Sequence, residues 1–212
     1  MPVTRPGDIR EQAKKGSAPP GSADGFRSVI LSRRLARFAY NVGMVRVKNV
    51  LESWKTIRQD TAAAVEEFPA ADFDFRPVAE LQSFREIARH VLDASDGLMG
   101  ALTDGVTDFS NPAFRPGMKA HMRDLPADAG AALAPALRQS IEEIAARLEA
   151  QPPEFFSAVV KRMDGQEITR LEMVQFVKEH ELTHRQQLFV YLRLKGLTPA
   201  TTRRRLARQA AK

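Results

Sequence analysis

The chain has 212 residues, 27% charged and 43% hydrophobic, with no cysteine and a formal net charge of +6. That length is enough for one large domain with a buried core. The lack of cysteine excludes a disulfide scaffold, a thiolate zinc cluster, an iron–sulfur site and a cysteine nucleophile, and no run approaches the ~18 uninterrupted apolar residues of a membrane span. The positive charge is uneven. Residues 1–50 hold ten Lys and Arg against Asp8, Glu11 and Asp24, and residues 203–212 hold Arg203, Arg204, Arg205, Arg208 and Lys212 with no acid. Residues 51–202 carry 17 bases and 23 acids. The basic balance therefore belongs to the two ends, and the body between them is acidic.

Residues 1–25, rich in Pro, Gly, Ser and Ala, have little to bury and are expected to be disordered. Residues 27–43 are Arg-rich and free of acids, the composition of an amphipathic surface helix or a transit-like segment. The composition breaks at Met44, so an alternative is a translation start at that residue, with 1–43 a mis-assigned extension. From there the pattern turns helical: Val47, Val50, Leu51, Trp54, Ile57, Arg58, Thr61 and Val65 recur at steps of three and four, predicting a first helix over 45–67. Asp72 to Pro77 reads as a connector, with Phe73 and Phe75 packing it down. A second helix is predicted over about 80–102, with Phe84, Ile87, His90, Val91, Ala94, Leu98 and Leu102 on one face. Residues 103–134 are punctuated by Gly and Pro and read as a long loop with at most a short helical turn.

A third helix, about 135–150, turns Leu137, Ile141, Ile144, Ala145 and Leu148 inward and stops at Pro152-Pro153, where proline removes a donor and bars helical geometry in the residue before it. The fourth opens on Thr169 with Glu172 three residues on, the spacing of a capping box, and runs to Lys195, ending at Gly196 with Pro199 beyond. No segment carries a period-two strand pattern, and no internal repeat is present. The expected fold class is all-α: an up-down four-helix bundle over 44–200, with a long connection between helices two and three and a basic tail over 201–212.

The chemistry concentrates in the histidines. His180-Glu181-Leu182-Thr183-His184 places two imidazoles at i and i+4, on one helix face and within reach of one ion. Val177, Leu188 and Tyr191 share that face, so both histidines lie on the inward seam. The same HExxH pattern marks zinc proteases, but a protease needs a further ligand, commonly downstream, and residues 185–212 contain no Asp, Glu or His. The third ligand must come from upstream, and His90, on the apolar face of helix two, is the candidate. Three imidazoles leave coordination positions open for water or substrate, as catalytic sites do. His121, in the Gly/Pro-rich loop, reads as a solvated loop residue.

Ser83-Phe84-Arg85-Glu86-Ile87-Ala88-Arg89-His90, preceded by Phe75-Arg76-Pro77, resembles the second helix of the DinB-like (DinB/YfiT) family. The stretch from His180 through Glu181, His184, Arg185, Gln187, Tyr191, Leu192 and Leu194 to Gly196 and Pro199 resembles its fourth. The resemblance covers roughly residues 46–200. It implies a four-helix bundle that holds a divalent metal through three histidines, here His90, His180 and His184. Many members carry Gly-Gln after the Arg of the last motif where this chain has Gln186-Gln187, a departure that touches packing more than ligation. The resemblance further implies zinc or nickel, with iron or manganese as alternatives, a cytoplasmic homodimer, and a metal-dependent transferase or hydrolase acting with a low-molecular-weight thiol on a small-molecule substrate. With no cysteine in the chain, any thiol comes from outside.

Three other side chains carry expectations. Glu181 points about 100° round the helix from His180, and an i,i+4 ion pair with Arg185 is its expected role. Trp54 is expected in the core, and Tyr191 either packs or orders a metal-bound water. The rival functions are a non-catalytic, dimeric bundle stabilised by its metal, and a nucleic-acid-associated protein using its basic ends; no aromatic interleaving or recognition motif accompanies those ends.

Overall fold

Caps in the sequence set where the long helices begin and end. In the computed structural model of the chain, residues 46–211 are described; the expectations for 1–43 lie outside them. Helix α1 spans Val47–Glu67 and α2 spans Phe84–Thr103. Helix α2 starts later than the apolar pattern alone suggests because Ser83 and Glu86 form a reciprocal capping box: the Glu86 amide donates to Ser83 Oγ (3.2 Å) and the Ser83 amide to Glu86 Oε2 (2.7 Å). After a 3-10 turn at Pro112–Phe114 come the short α3, Arg115–Ala120, and the long α4, Leu133–Glu149. A five-residue helix α5, Pro153–Ser157, leads to strands β1, Val159–Lys161, and β2, Glu167–Thr169.

The longest helix, α6, covers Arg170–Leu194, and the expected Thr169–Glu172 capping box opens it. At its end Gly196 takes φ +76°, a left-handed conformation that glycine adopts without a steric penalty. The Leu197 amide reaches back to the Leu192 carbonyl (2.9 Å) and the Gly196 amide to that of Arg193 (2.9 Å), which satisfies carbonyls the helix would otherwise leave unpaired.

The fold is an all-α bundle of α1, α2, α4 and α6. Each buries an apolar stripe, and together the stripes form two clusters. Phe68, Phe84, Leu133, Leu137, Leu188 and Leu192 meet at one end, and Leu51, Trp54, Leu102, Ile144, Leu148 and Met173 at the other. The ends of the helices that share each cluster give the chain directions. Helices α1 and α6 run one way and α2 and α4 the other, so helices two and three of the bundle are parallel. The long 104–132 connection makes this possible by carrying the chain back to the end where α2 began. Phe68 and Phe84 stack at 3.6 Å between ring centroids, with Phe73 edge-on to both, and this aromatic group closes the α1–α2 corner.

Two expectations change. The region between α4 and α6 contains an antiparallel hairpin pairing Val159 with Thr169, Val160 with Ile168 and Lys161 with Glu167. Strands of three residues are too short to display a period of two, which is why the pattern was silent. The hairpin also anchors the long connection: the Phe109 amide donates to Lys161 O and the Lys161 amide to Thr107 O, both at 2.7 Å. Residues 201–210, expected as part of a basic tail over 201–212, fall in helix α7, Ala200–Ala210, which begins after Pro199. Its Arg203 pairs with Glu67 and its Arg204 with Asp60 of α1, so part of the C-terminal charge is matched by acids of the bundle. No described helix is long and apolar enough to cross a membrane.

Helix α3 lies against α2 where α2 lacks side chains. A Cβ on Gly97 would fall 2.5 Å from Met118 Cγ and 3.1 Å from the Met118 carbonyl oxygen, and one on Gly100 would collide with the His121 ring. Gly100→Ala should therefore lower stability by about 1–3 kcal/mol, the usual cost of overpacking, whereas Gly117→Ala, with open space around it, should be neutral or slightly stabilising. Urea denaturation of the two variants checks this.

Candidate metal centre

Helices α2 and α6 run antiparallel, and their facing seams bring together the three histidines singled out by the sequence. His90 Nε2 lies 3.0 Å from His180 Nε2, and His180 Nε2 lies 3.1 Å from His184 Nε2. One ligand atom from each of the three falls within 4.8 Å of the others. The rings stand nearly perpendicular to one another, at 71–81° with centroids 4.5–4.9 Å apart, so their nitrogen edges converge and their faces do not stack.

This donor set could hold a metal. Bonds of roughly 2.0–2.1 Å at angles between square and tetrahedral place neighbouring donors about 2.9–3.4 Å apart; the two spacings from His180 Nε2 fall in that window, and the three donors together lie within 4.8 Å. Hydrogen bonding alone satisfies the cluster poorly, because one proton on His180 Nε2 can serve only one of its two neighbours. His184 Nδ1 donates to Gln187 Oε1 (2.7 Å). An amide oxygen only accepts, so this contact places the proton on Nδ1 and leaves the Nε2 lone pair pointing into the cluster. Burial, the neighbouring imidazoles of His184 and His90, and an opposing pull from the Glu181 carboxylate together push His180 down to about 4. His90 is lowered chiefly by burial, then by His184, against Asp93. Both are neutral at pH 7, the form that ligates.

The centre opens onto a cleft of about 660 Å³ whose wall includes His90 and His180. Toward the N-terminal half of α2 the wall is polar, with Arg85, Glu86, Arg89 and Asp93; toward its C-terminal half it is apolar. Much of the apolar half comes from Phe114, Met118 and Met122 of the long connection and Met163 of the hairpin turn, residues that sequence reasoning missed because they lie in turns and in a six-residue helix too short to show a face.

Directly behind His180, Glu181 is 1% exposed and faces α1. It accepts from Arg58 Nε (2.8 Å), Trp54 Nε1 (2.6 Å) and Thr61 Oγ1 (2.9 Å). The expected pair with Arg185 is therefore replaced. Rotation of 100° past His180 carries Glu181 into the α1–α6 interface, and Arg185 pairs instead with Asp60 (3.3 Å). Arg58 is fully buried, and its remaining donors reach Ser95 Oγ, Ser140 Oγ and the Leu137 carbonyl, at 2.8, 3.1 and 3.2 Å. Ser140 Oγ donates to Asp96 Oδ1, whose other oxygen accepts from Arg123 Nε at 2.9 Å. This network was half legible: Arg58 and Thr61 stand on the inward stripe of α1 among apolar residues, a place where polar side chains need partners.

Trp54 is in the core as expected. Tyr191 does not face the histidines through its hydroxyl, which donates to the Gln82 carbonyl (2.8 Å) while the ring meets Phe75 edge-on. His121 is not simply solvated: it contacts Asp104 Oδ2 through Nε2 (2.6 Å) and lies over Gly100.

Comparison with known proteins places this geometry in context. The DinB family model matches residues 44–211. Among solved structures, the chain is similar to a DinB-like protein from Bacillus subtilis, with 20% identity and a TM-score of 0.57 over 71% of this chain and 94% of that one. A DinB-like protein from Bacillus cereus gives 14% identity and a TM-score of 0.56 over 72% and 95%. A mycothiol-dependent maleylpyruvate isomerase gives 13% identity and a TM-score of 0.53, over 68% of this chain and 61% of the isomerase. At these identities the likeness is one of fold. No curated protein sequence matches.

Two outcomes test the site's framework. Glu181→Gln leaves Arg58 without its counter-charge in the core and should cost about 3–5 kcal/mol in urea unfolding, while Arg58→Met combined with Glu181→Leu should cost less than the sum of the single changes. For the metal-free protein, an unfolded histidine titrates near 6.5 and His180 near 4, so the unfolded chain takes up a proton first as pH falls. The His180 contribution is complete above pH 6.5 and is lost progressively toward pH 4. Urea midpoints measured across that range should fall, and less steeply in His180→Gln.

Proposed function

Because the chain belongs to the DinB family, we propose that it is a divalent-metal enzyme whose ion is held by His90, His180 and His184, and that its reaction uses a thiol supplied from outside. The observation that carries this reading is the convergence of three imidazole Nε2 edges at the head of a cleft large enough for a small molecule. When bound between neutral imidazoles, a divalent ion keeps its full charge and supplies Lewis acidity that favours the deprotonated form of a thiol or water. The donor set suits zinc or nickel, and imidazole also accepts iron.

The chain's own residues do the positioning. Gln187 fixes the His184 tautomer, as partners of metal-bound histidines commonly do. The pair of Glu181 and Arg58 holds α6 at the rotation that turns His180 and His184 toward α2. Apolar residues from α2, α3 and the hairpin line one side of the cleft. Thiol use is supported by the likeness in fold to a protein described as a mycothiol-dependent isomerase, and since this chain has no cysteine of its own, such a thiol would come from outside.

Protein purified without an affinity tag should carry close to one equivalent of zinc or nickel per chain by elemental analysis. His184→Ala should reduce this to well under half, and Gln187→Leu should keep the metal but bind it about 10–100-fold more weakly in chelator competition. Full metal content in His184→Ala would remove that residue from the ligand set.

A further inference from the structure

The two halves of the cleft are chemically unequal in what they leave available. In the polar half, the charges are already matched: Arg85 binds Asp74 through Nε and Nη2 (2.9 and 3.1 Å), Arg89 binds both oxygens of Asp93 (2.9 and 2.8 Å), and Glu86 binds Arg76 (2.6 Å). Arg89 further donates to the Leu125 and Arg123 carbonyls. A charged ligand entering here would have to break an existing pair to make a new one. The opposite half is lined by Leu98, Phe114, Met118, Met122, Met163 and Phe176, with Met163 42% exposed at the lip. Phe176 lies one turn before His180 on α6, and Leu98 two turns beyond His90 on α2, so this apolar surface begins beside the imidazoles. Methionine is flexible and polarisable; three of them on one wall make a surface that adapts to aryl and alkyl groups of differing shape.

We infer that this half of the cleft is a binding subsite for an apolar group, aryl or short alkyl, on the molecule that meets the histidine centre, and that it sets the specificity of the site. The inference rests on the metal–thiol reading only for what stands at the centre; the subsite itself is a property of the chain. Burying a phenyl ring there removes apolar area from water on both ligand and wall. At about 25 cal/mol per Å², even partial burial of the ring is worth tenfold or more in affinity.

The test compares two thiols that differ by one phenyl group. With the Co²⁺-loaded protein, followed through its visible absorption, 2-phenylethanethiol should bind at least about tenfold more tightly than ethanethiol. The variant carrying Met122→Gln and Met163→Gln should reduce the preference for 2-phenylethanethiol over ethanethiol to within about threefold. In parallel, methyl-labelled methionine NMR of the metal-free protein should show 2-phenylethanol shifting Met118, Met122 and Met163, while the buried Met99 and Met173 stay in place. Equal affinity for the two thiols, a preference that survives the double variant, or no shift at the three methionines would overturn the inference. If neither thiol alters the cobalt spectrum, the metal–thiol reading fails instead, and the metal-free NMR result decides the subsite alone.

Discussion

A charge pair sealed inside the bundle fixes how its helices are set. Arg58 and Glu181 are buried at 0% and 1% exposure and joined at 2.8 Å, and their remaining polar atoms engage Trp54, Thr61, Ser95, Ser140 and the Leu137 carbonyl. The pair and its partners come from α1, α2, α4 and α6, so a single cluster of hydrogen bonds ties all four long helices. Apolar packing tolerates a helix rotated or shifted by part of a turn, because one methylene replaces another at modest cost. A buried ion pair does not, since either partner displaced leaves an uncompensated charge in the core.

That restriction passes directly to the chemistry. Glu181 follows His180 in sequence, so holding the carboxylate against α1 turns the preceding imidazole, and the one four residues later, toward α2 and His90. The HExxH pattern is used here in a different way from a protease: the glutamate is consumed in alignment, with both oxygens occupied, and is unavailable as a base. The three imidazoles that result are crowded and partly desolvated, which lowers the pKa of His90 and His180 and leaves the group short of mutual hydrogen bonds. Such a group could hold a metal ion. The cleft beside it divides into a rim of matched charges and an adaptable apolar wall.

How legible all this was depends on the range of the interaction. The four long helices, the Thr169 cap, the Gly196 stop and the His180–His184 pair rest on local spacing and could be read from residues three to seven apart, and His90 followed from the lack of any downstream ligand and its place on an apolar helix face. Features created by contact between distant segments were hidden. The hairpin at Val159–Thr169 is too short to leave a pattern, and the docking of α3 depends on the absence of side chains at Gly97 and Gly100. The partner of Glu181 lies 123 positions away, so a local rule assigned it to Arg185. The C-terminal arginines looked like a tail because their acids, Asp60 and Glu67, sit on the first helix. Parallel orientation of α2 and α4 was likewise invisible, although the length of the connection between them was its trace.

The most direct measurement is X-ray absorption at the metal edge of the zinc-loaded full chain, which reads the ligands themselves. Three imidazole nitrogens at roughly 2.0–2.1 Å, with a further light-atom ligand from solvent, is the expected result, and loss of one imidazole shell in His90→Ala would tie α2 to the ion. A coordination sphere with fewer than three imidazoles, or one unchanged when His90 is removed, would contradict a centre built between α2 and α6.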